Sequence, residues 1–185
     1  MSPLKIDPDT LPTVVVLASG RGERFTASGG KVHKLQADLN GKTVLQHTLD
    51  AVRASGLHWH LEDAGHPGMG DSIAAAVRVT RHAAGWLILP ADLPLIQAQT
   101  LLELAAADSG ADVLVPVMEG QRGHPVRFAR VCGDALAALT GGRGAASIVS
   151  QYRAAEWPVH DGGCVTDIDT VEDLERARAL ALHAG

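Results

Sequence analysis

Residues 14–17 (Val14-Val15-Val16-Leu17) form an unbroken apolar, mostly β-branched run that leads directly into Ala18-Ser19-Gly20-Arg21-Gly22-Glu23-Arg24-Phe25. A strand of that composition has to be covered on both faces, as strands are inside a parallel sheet. The glycines that follow let backbone N–H groups turn toward a ligand, and the arginines, with Lys34-Leu35 shortly after, bring positive charge to the same place. A strand that delivers amides and cations to one loop suits a phosphate. The plainer alternative is a solvated strand-to-helix turn with incidental charge.

Three kinds of phosphate loop are distinguishable by their residues. The dinucleotide fingerprint G-x-G-x-x-G needs a third glycine for close helix–strand packing, and Phe25 stands there. The Walker loop G-x-x-x-x-G-K-[ST] finds its end in Gly41-Lys42-Thr43, but Gln36 occupies the position of its first glycine. A glycine loop with arginines and a downstream lysine, wrapped around a nucleoside triphosphate, fits Gly20, Arg21, Gly22, Arg24 and Lys34.

At 185 residues the chain is most simply one domain, expected over 13–185 behind a flexible tail at 1–12. Aromatics make up only 3%, so the core must be aliphatic, which suits helices on a parallel sheet. A net charge of −5 argues against a nucleic-acid or anionic-membrane partner and points to a small phosphorylated ligand at a local basic loop. Cys132 and Cys164 form no C-x-x-C pair, so neither a disulfide scaffold nor a cysteine zinc site is expected. The first dozen residues lack a signal-peptide core and no stretch reaches the length of a membrane span, so a cytoplasmic location is expected.

Strands are expected over residues 13–18, 59–62, 86–89, 112–117, 125–128 and 154–159. Helices are expected over 43–53, 71–82, 97–107, 131–139, 145–152 and 171–183, with Asp71 or Ser72 near one N-cap and Thr170 at another. This alternation predicts an α/β fold: a doubly wound, mostly parallel sheet with helices on both faces and ligands at the strand C-termini.

Carboxylates at strand ends are the next signal. Asp92 follows the buried run 86–89 and precedes Pro94; beside a phosphate loop, a hard oxygen ligand there suits Mg²⁺. Asp167 and Asp169 are placed to complete a metal site, since two segments supplying one carboxylate each suffice when phosphates provide the remaining oxygens. Glu172 and Asp173 lie in a first helical turn, where the helix dipole accounts for them. Arg122, Gly123 and His124 before a short strand suit a second-substrate pocket, although a surface hairpin is the simpler reading of that segment. His58 and His60 have no carboxylate at metal-site spacing, so a zinc site is not expected.

Jointly these segments resemble the MobA-like nucleotidyltransferase family, and within it the molybdenum-cofactor cytidylyltransferases. The family pattern L-A-A-G-x-x-x-R-[FM]-G followed by K-L corresponds to Leu17-Ala18-Ser19-Gly20, Arg24-Phe25 and Lys34-Leu35. G-M-x-x-S-[IL] matches Gly68-Met69-Gly70-Asp71-Ser72-Ile73, and L-x-D-x-P matches 89–94 with one residue of offset and Asp92 at the metal position. R-G-H-P-V matches 122–126, and D-[IV]-D-T-x-E-D-L matches 167–174. The resemblance implies a nucleotide-diphospho-sugar-transferase-like fold and an Mg²⁺-dependent transfer of a nucleoside monophosphate, from CTP by preference, to a phosphorylated molybdopterin-type acceptor with release of pyrophosphate. It implies catalytic roles for Arg24, Lys34 and Asp92, and metal binding by Asp92, Asp169 and Asp167. Substrate binding is implied for Leu17, Ala18, Ser19, Gly20, Gly22, Met69, Ser72, Arg122 and His124.

Three departures from the pattern stand out. Residues 56–70 are too few for the strand and helix that family members carry there, so one βα unit is expected to be missing, leaving a sheet edge that a homodimer would cover. The motif G-D-x-G-A-R reads Gly141-Gly142-Arg143-Gly144-Ala145-Ala146, without its acid and final arginine. Ser19 offers a hydroxyl beside the place expected for the base. GTP as donor, a sugar or alcohol phosphate as acceptor, and a nucleotide-binding accessory protein without catalysis are the alternatives these departures raise.

Overall fold

The computed structural model describes residues 8–183. Of the tail expected at 1–12, residues 1–7 lie outside the described residues; Leu11 packs against the core and Asp9 pairs with His58. Strand β1 (Thr13–Leu17) is the valine run, with Val14, Val15 and Val16 fully buried. The glycine loop after it leads into a short helix, α1 (Glu23–Ala27). A hairpin, β2 (Asp38–Leu39) and β3 (Lys42–Thr43), turns on Asn40 and Gly41, both at positive φ. That is the use of the Walker-like Gly41-Lys42-Thr43: Gly41 makes the turn, Lys42 pairs with Asp50 at 2.7 Å, and Thr43 caps the next helix.

That helix, α2 (Val44–Ser55), opens on a reciprocal capping box between Thr43 and Gln46 and ends at Gly56 in the left-handed region. Strand β4 (Trp59–Glu62) follows, then α3 (Met69–Val79), β5 (Gly85–Pro90) and α4 (Ala98–Ala106). Between α2 and α3 the described residues contain one strand and no helix. Strand β6 (Val113–Met118) turns through Glu119 and Gly120 into β7 (Gln121–Arg122), so the hairpin expected at this segment forms. Then come β8 (Val126–Ala129), α5 (Gly133–Ala137), α6 (Ala146–Gln151), β9 (Ala154–Pro158) and α7 (Val171–His183).

The sheet runs β4-β1-β5-β8-β6, with β7 extending β6 on the β8 side and β9 on its other side. β4, β1 and β5 are parallel, as are β6 and β9; β8 is antiparallel to both of its neighbours. Side chains alternate across this sheet and divide the core in two. Val14, Val16, Leu87 and Leu89 meet α2, α4 and α7 on one face, while Val15, Trp86, Ile88, Val113 and Val115 meet α3, α5 and α6 on the other. The mostly parallel α/β sheet covered on both faces is therefore the observed fold.

Two helices depart most from the bounds read off the sequence, 71–82 and 131–139. α3 begins at Met69 under Gly68 rather than at Asp71 or Ser72, because Gly68 and Gly70 pack against the backbone of Gly141, where a Cβ would collide. The Asp71 carboxylate accepts from the Gly141 amide at 3.0 Å instead of capping its own helix. The helix expected over 131–139 divides into a 3-10 turn, Arg130–Cys132, and the short α5. Gly133 lies against the Trp86 ring at that junction, and Arg78 donates to the Ala137 carbonyl at 2.5 Å where α5 ends.

One buried carboxylate ties the sheet to α4. Asp161, only 3% exposed, accepts from the Gln97 amide at 2.9 Å, the Thr100 hydroxyl at 2.7 Å and the Gly163 amide at 2.8 Å. It thus serves as an N-cap supplied from a distant segment. Asp161→Ala strands these donors in the interior and is expected to cost about 3 kcal/mol of stability, with Asp161→Asn losing less. Urea unfolding measures this directly, and an unchanged midpoint for the alanine variant would contradict the assignment.

Candidate active site

The site lies at the C-terminal ends of β1 and β5. Its first component is the glycine loop. Gly22 takes a left-handed conformation (φ 65°), which a side chain would strain, and a Cβ there would press on the His33 ring. Phe25, in the place of a third glycine, is 2% exposed and anchors α1 in the core. Its burial contributes about 2–3 kcal/mol. His33 closes the loop from the other side. Its Nδ1 accepts the Leu35 amide at 3.3 Å, which assigns the ring proton to Nε2; that nitrogen donates to the Gly20 carbonyl at 2.7 Å.

The second component is a charge cluster. Lys34 Nζ lies 2.6 Å from Asp92 Oδ2 and 3.0 Å from Asp169 Oδ1, and Arg24 Nη1 lies 2.7 Å from Asp169 Oδ2. The Lys34 side chain is 11% exposed. Burial alone would lower its pKa, but the charges and hydrogen bonds of Asp92 and Asp169 outweigh burial and raise it. Lys34 is therefore a cation at any physiological pH, held between two anions.

Backbone contacts bring the two carboxylates together. The Thr48 hydroxyl donates to the Ala91 carbonyl at 2.9 Å, and the Ile168 amide donates to the Asp92 carbonyl at 3.0 Å. Asp173 accepts from the amides of Asp169 and Thr170 and so shapes the turn that carries Asp169. Burial disfavours the Asp173 charge, yet hydrogen bonds from Thr170 and Arg176 hold its pKa below the ordinary carboxylate value. The Thr170 hydroxyl in turn accepts from the Asp173 amide at 3.2 Å, the reciprocal arrangement of a helix cap.

Around this cluster lies an open cavity of about 630 Å³. Leu17, Ser19, Gly20, Gly22, Arg24, Lys34, Met69, Asp92, Arg122, His124, Asp167 and Asp169 all line it, so most of the residues singled out in the sequence meet at one place. Ala18 and Ser72 are not in its lining. Ser72 is buried and its Oγ lies 2.5 Å from that of Ser19, so it supports Ser19 from behind. Arg122 is engaged by Glu156 at 2.8 Å on the β7 hairpin. His124 is pushed below its usual pKa by burial, with Asp92 opposing, so it is a neutral imidazole near pH 7.

Two contributors carry no sequence signal. His33 precedes Lys34 in an otherwise irregular segment, and its role depends on the fold of the loop. His66 lines the cavity and contacts Glu62 at 3.1 Å; Glu62 is buried at the end of β4, so only strand pairing brings them to the site.

The residues fit a divalent cation. Asp92 Oδ1 is buried and has no hydrogen-bond partner among the described residues, although Oδ2 of the same carboxylate holds Lys34. Such an orphaned oxygen is what a hard cation would satisfy. Asp169 shares Lys34 with it. Asp167 stands close enough that, after burial, the charges of Asp169 and Asp92 raise its pKa. No group of three or more His, Cys, Asp or Glu among the described residues forms a self-sufficient metal cage. A cation here would need further oxygens from a ligand, as Mg²⁺ bound with phosphates does. No helix among the described residues is long and apolar enough to cross a membrane.

The chain is similar to several known proteins. The bifunctional protein GlmU of Xylella fastidiosa (strain 9a5c) is 28% identical over 142 residues, covering 63% of this chain and 30% of that protein. The chain thus spans about a third of the length of the curated relatives it matches. The crystal structure of Rv0371c from Mycobacterium tuberculosis H37Rv in complex with manganese superposes with a TM-score of 0.71 at 25% identity, covering 91% of this chain and 98% of that one. The molybdopterin-guanine dinucleotide biosynthesis protein A of Archaeoglobus fulgidus shares the fold with a TM-score of 0.68 at 21% identity, covering 92% and 99%. The MobA-like NTP transferase domain matches residues 50–156. That match takes in more than half of the sequence, and the chain belongs to the MobA-like NTP transferase domain family.

Proposed function

We propose that this protein transfers a nucleoside monophosphate from a nucleoside triphosphate, with CTP preferred, to a phosphorylated acceptor of the molybdopterin type, releasing pyrophosphate and using Mg²⁺. The observation that carries the reading is Lys34, held between Asp92 and Asp169 in a cavity beside a glycine loop. Cations that meet phosphates and carboxylates that meet a metal occur there within hydrogen-bond distance of one another. The manganese complex of the M. tuberculosis relative supports divalent-metal use, and the A. fulgidus structure keeps molybdopterin chemistry among the neighbours.

In this reading the triphosphate lies along Gly20, Arg21 and Gly22, with Arg24 and Lys34 neutralising its phosphates. Asp92 and Asp169, with Asp167 nearby, would hold Mg²⁺, which supplies charge neutralisation at the phosphates when bound. An oxygen of the acceptor phosphate attacks the α-phosphorus. A new P–O bond forms there, the bond to the bridging oxygen on the β-phosphate side breaks, and pyrophosphate leaves with its electron pair. The acceptor phosphate has a second pKa near 6, so it already carries an anionic nucleophile at neutral pH. No side chain has to remove a proton, which accords with a neutral His124 in the wall. Positioning and electrostatics provide the catalysis. In this reading the hydroxyl of Ser19, which contacts that of Ser72, would meet a base edge. GTP and other acceptor phosphates compete with CTP and molybdopterin within the same chemistry.

The altered turn at 141–146 favours one reading of another kind, nucleotide binding without catalysis. Its backbone is nonetheless held by Asp71 and by Gly70, whose amide donates to the Gly141 carbonyl at 2.7 Å, so the turn keeps a defined place without the missing acid and arginine.

Asp92→Ala is expected to reduce Mg²⁺-dependent pyrophosphate release by at least 10²-fold while retaining the fold; turnover at the parent rate would remove Asp92 from the metal site. Among the four common triphosphates, CTP with Mg²⁺ should raise the melting temperature most, and a response to GTP alone would exchange the donor. Removing the cation from the carboxylate pair gives a test without turnover. Lys34→Met should lower stability by about 3 kcal/mol by leaving two carboxylates facing each other. Mg²⁺ or Mn²⁺ should then restore more of the melting temperature than it adds to the parent protein, and equal metal responses would contradict the shared site.

A further inference from the structure

The glycine loop is anchored at each end by the elements that flank it. Upstream, the Ala18 amide donates to the Glu62 carbonyl at 2.9 Å, and the Leu17 carbonyl accepts from the Ala91 amide at 3.0 Å. Downstream, the Gly22 carbonyl accepts from the Thr26 amide of α1 at 3.1 Å. Between these anchors lie Ser19, Gly20 and Arg21. Among the described residues their backbone makes a single hydrogen bond, in which the Gly20 carbonyl accepts from His33 Nε2 at 2.7 Å. The amides of Gly20, Arg21 and Gly22 have no partner among the described residues. Gly20, Arg21 and Gly22 line the charged cavity, whereas His33 lies behind them and is not in its lining. In a planar trans peptide the carbonyl of Gly20 and the amide of Arg21 point in opposite directions. Holding the carbonyl on the His33 side therefore turns the Arg21 amide toward the cavity. Gly22 makes room for this contact, since a Cβ there would stand 3.3 Å from His33 Nε2 and press on the ring. The other ring nitrogen has a lighter task. Nδ1 accepts from the Leu35 amide at 3.3 Å, but the turn that carries Lys34 is also closed by the Gln36 amide on the His33 carbonyl at 2.8 Å and by the buried Leu35 side chain.

We propose that His33 is a positioning residue for the triphosphate: through Nε2 it pre-sets the Gly20–Arg21 peptide so that the Arg21 amide meets a phosphate oxygen, while the ring itself does not touch the ligand. The inference rests on the reading that this loop receives a triphosphate. Without the clasp, the middle of the loop would become ordered only when the ligand binds. Ordering the backbone of one residue costs roughly tenfold in affinity. The clasp moves that cost from binding to folding, and the ligand then meets amides already turned toward it.

Two substitutions separate the ring nitrogens. Asparagine puts an acceptor where Nδ1 stands, and glutamine puts a donor where Nε2 stands. Binding of inorganic tripolyphosphate and of CTP to the full chain is measured by calorimetry for the parent, His33→Ala, His33→Asn and His33→Gln. Tripolyphosphate isolates the phosphate contacts from those of a base. His33 is exposed, so the variants are expected to fold, and each melting temperature reports whether they do. His33→Ala and His33→Asn are expected to bind tripolyphosphate about fivefold more weakly, the worth of one hydrogen bond, and His33→Gln within about twofold of the parent. A role confined to capping the Lys34 turn would give the opposite ranking, because asparagine caps well and glutamine does not. Parent-like affinity in a folded His33→Asn would overturn the inference, as would equal weakening in folded His33→Asn and His33→Gln. A parent chain that binds neither tripolyphosphate nor CTP would instead overturn the triphosphate reading, and the inference with it.

Discussion

The site depends on one buried cation placed between two carboxylates. Asp92 follows β5 and Asp169 precedes α7, and the amide of Ile168 on the carbonyl of Asp92 holds their segments together. Two anions so close would repel strongly in an interior of low dielectric. Lys34 removes that repulsion at 2.6 and 3.0 Å, and its own burial is tolerated only because both partners are charged. The same geometry explains why the glycine loop is anchored so firmly. Phe25 fixes α1 in the core and His33 ties Lys34's neighbour back to Gly20, so the lysine is delivered on a rigid support.

From that cluster the molecule divides by polarity. Toward α1 the cavity is lined by arginine, lysine and carboxylates; toward α6 it is lined by an apolar face of the sheet. The end of β5 belongs to both, with Asp92 on one side and Ile88 on the other. The start of α3 separates them, and its position is set by backbone packing of Gly68 and Gly70 on the 141–142 turn. The shortened connection between α2 and α3 leaves β4 as the sheet edge and brings His66 to the lining of the charged cavity.

Much of this was legible in the residues. The valine run, the aliphatic run before Pro90 and the capping signal of Thr170 are local effects, and they appear where the sequence places them. Phe25 and Gln36 removed two kinds of phosphate loop, and the structure gives both segments other uses: Phe25 is core, and Gly41-Lys42-Thr43 is a turn and a cap. The start of α3 was not legible, because the glycines that set it answer to a turn some seventy residues away. The division of 131–139 likewise follows from Trp86, whose ring lies against Gly133.

Taken alone, the sequence determined the fold class and singled out Arg24, Lys34, Asp92 and Asp169, because strand composition, turn residues and charged side chains at strand ends are each expressed within a few neighbouring residues. The tertiary structure decided the rest: that Lys34 bridges the two aspartates, that Asp92 keeps one buried oxygen unpartnered, that Ser72 backs Ser19, and that an apolar cavity adjoins the charged one. These depend on distances between segments far apart in the chain, and such distances are set by sheet order and helix packing rather than by local preference.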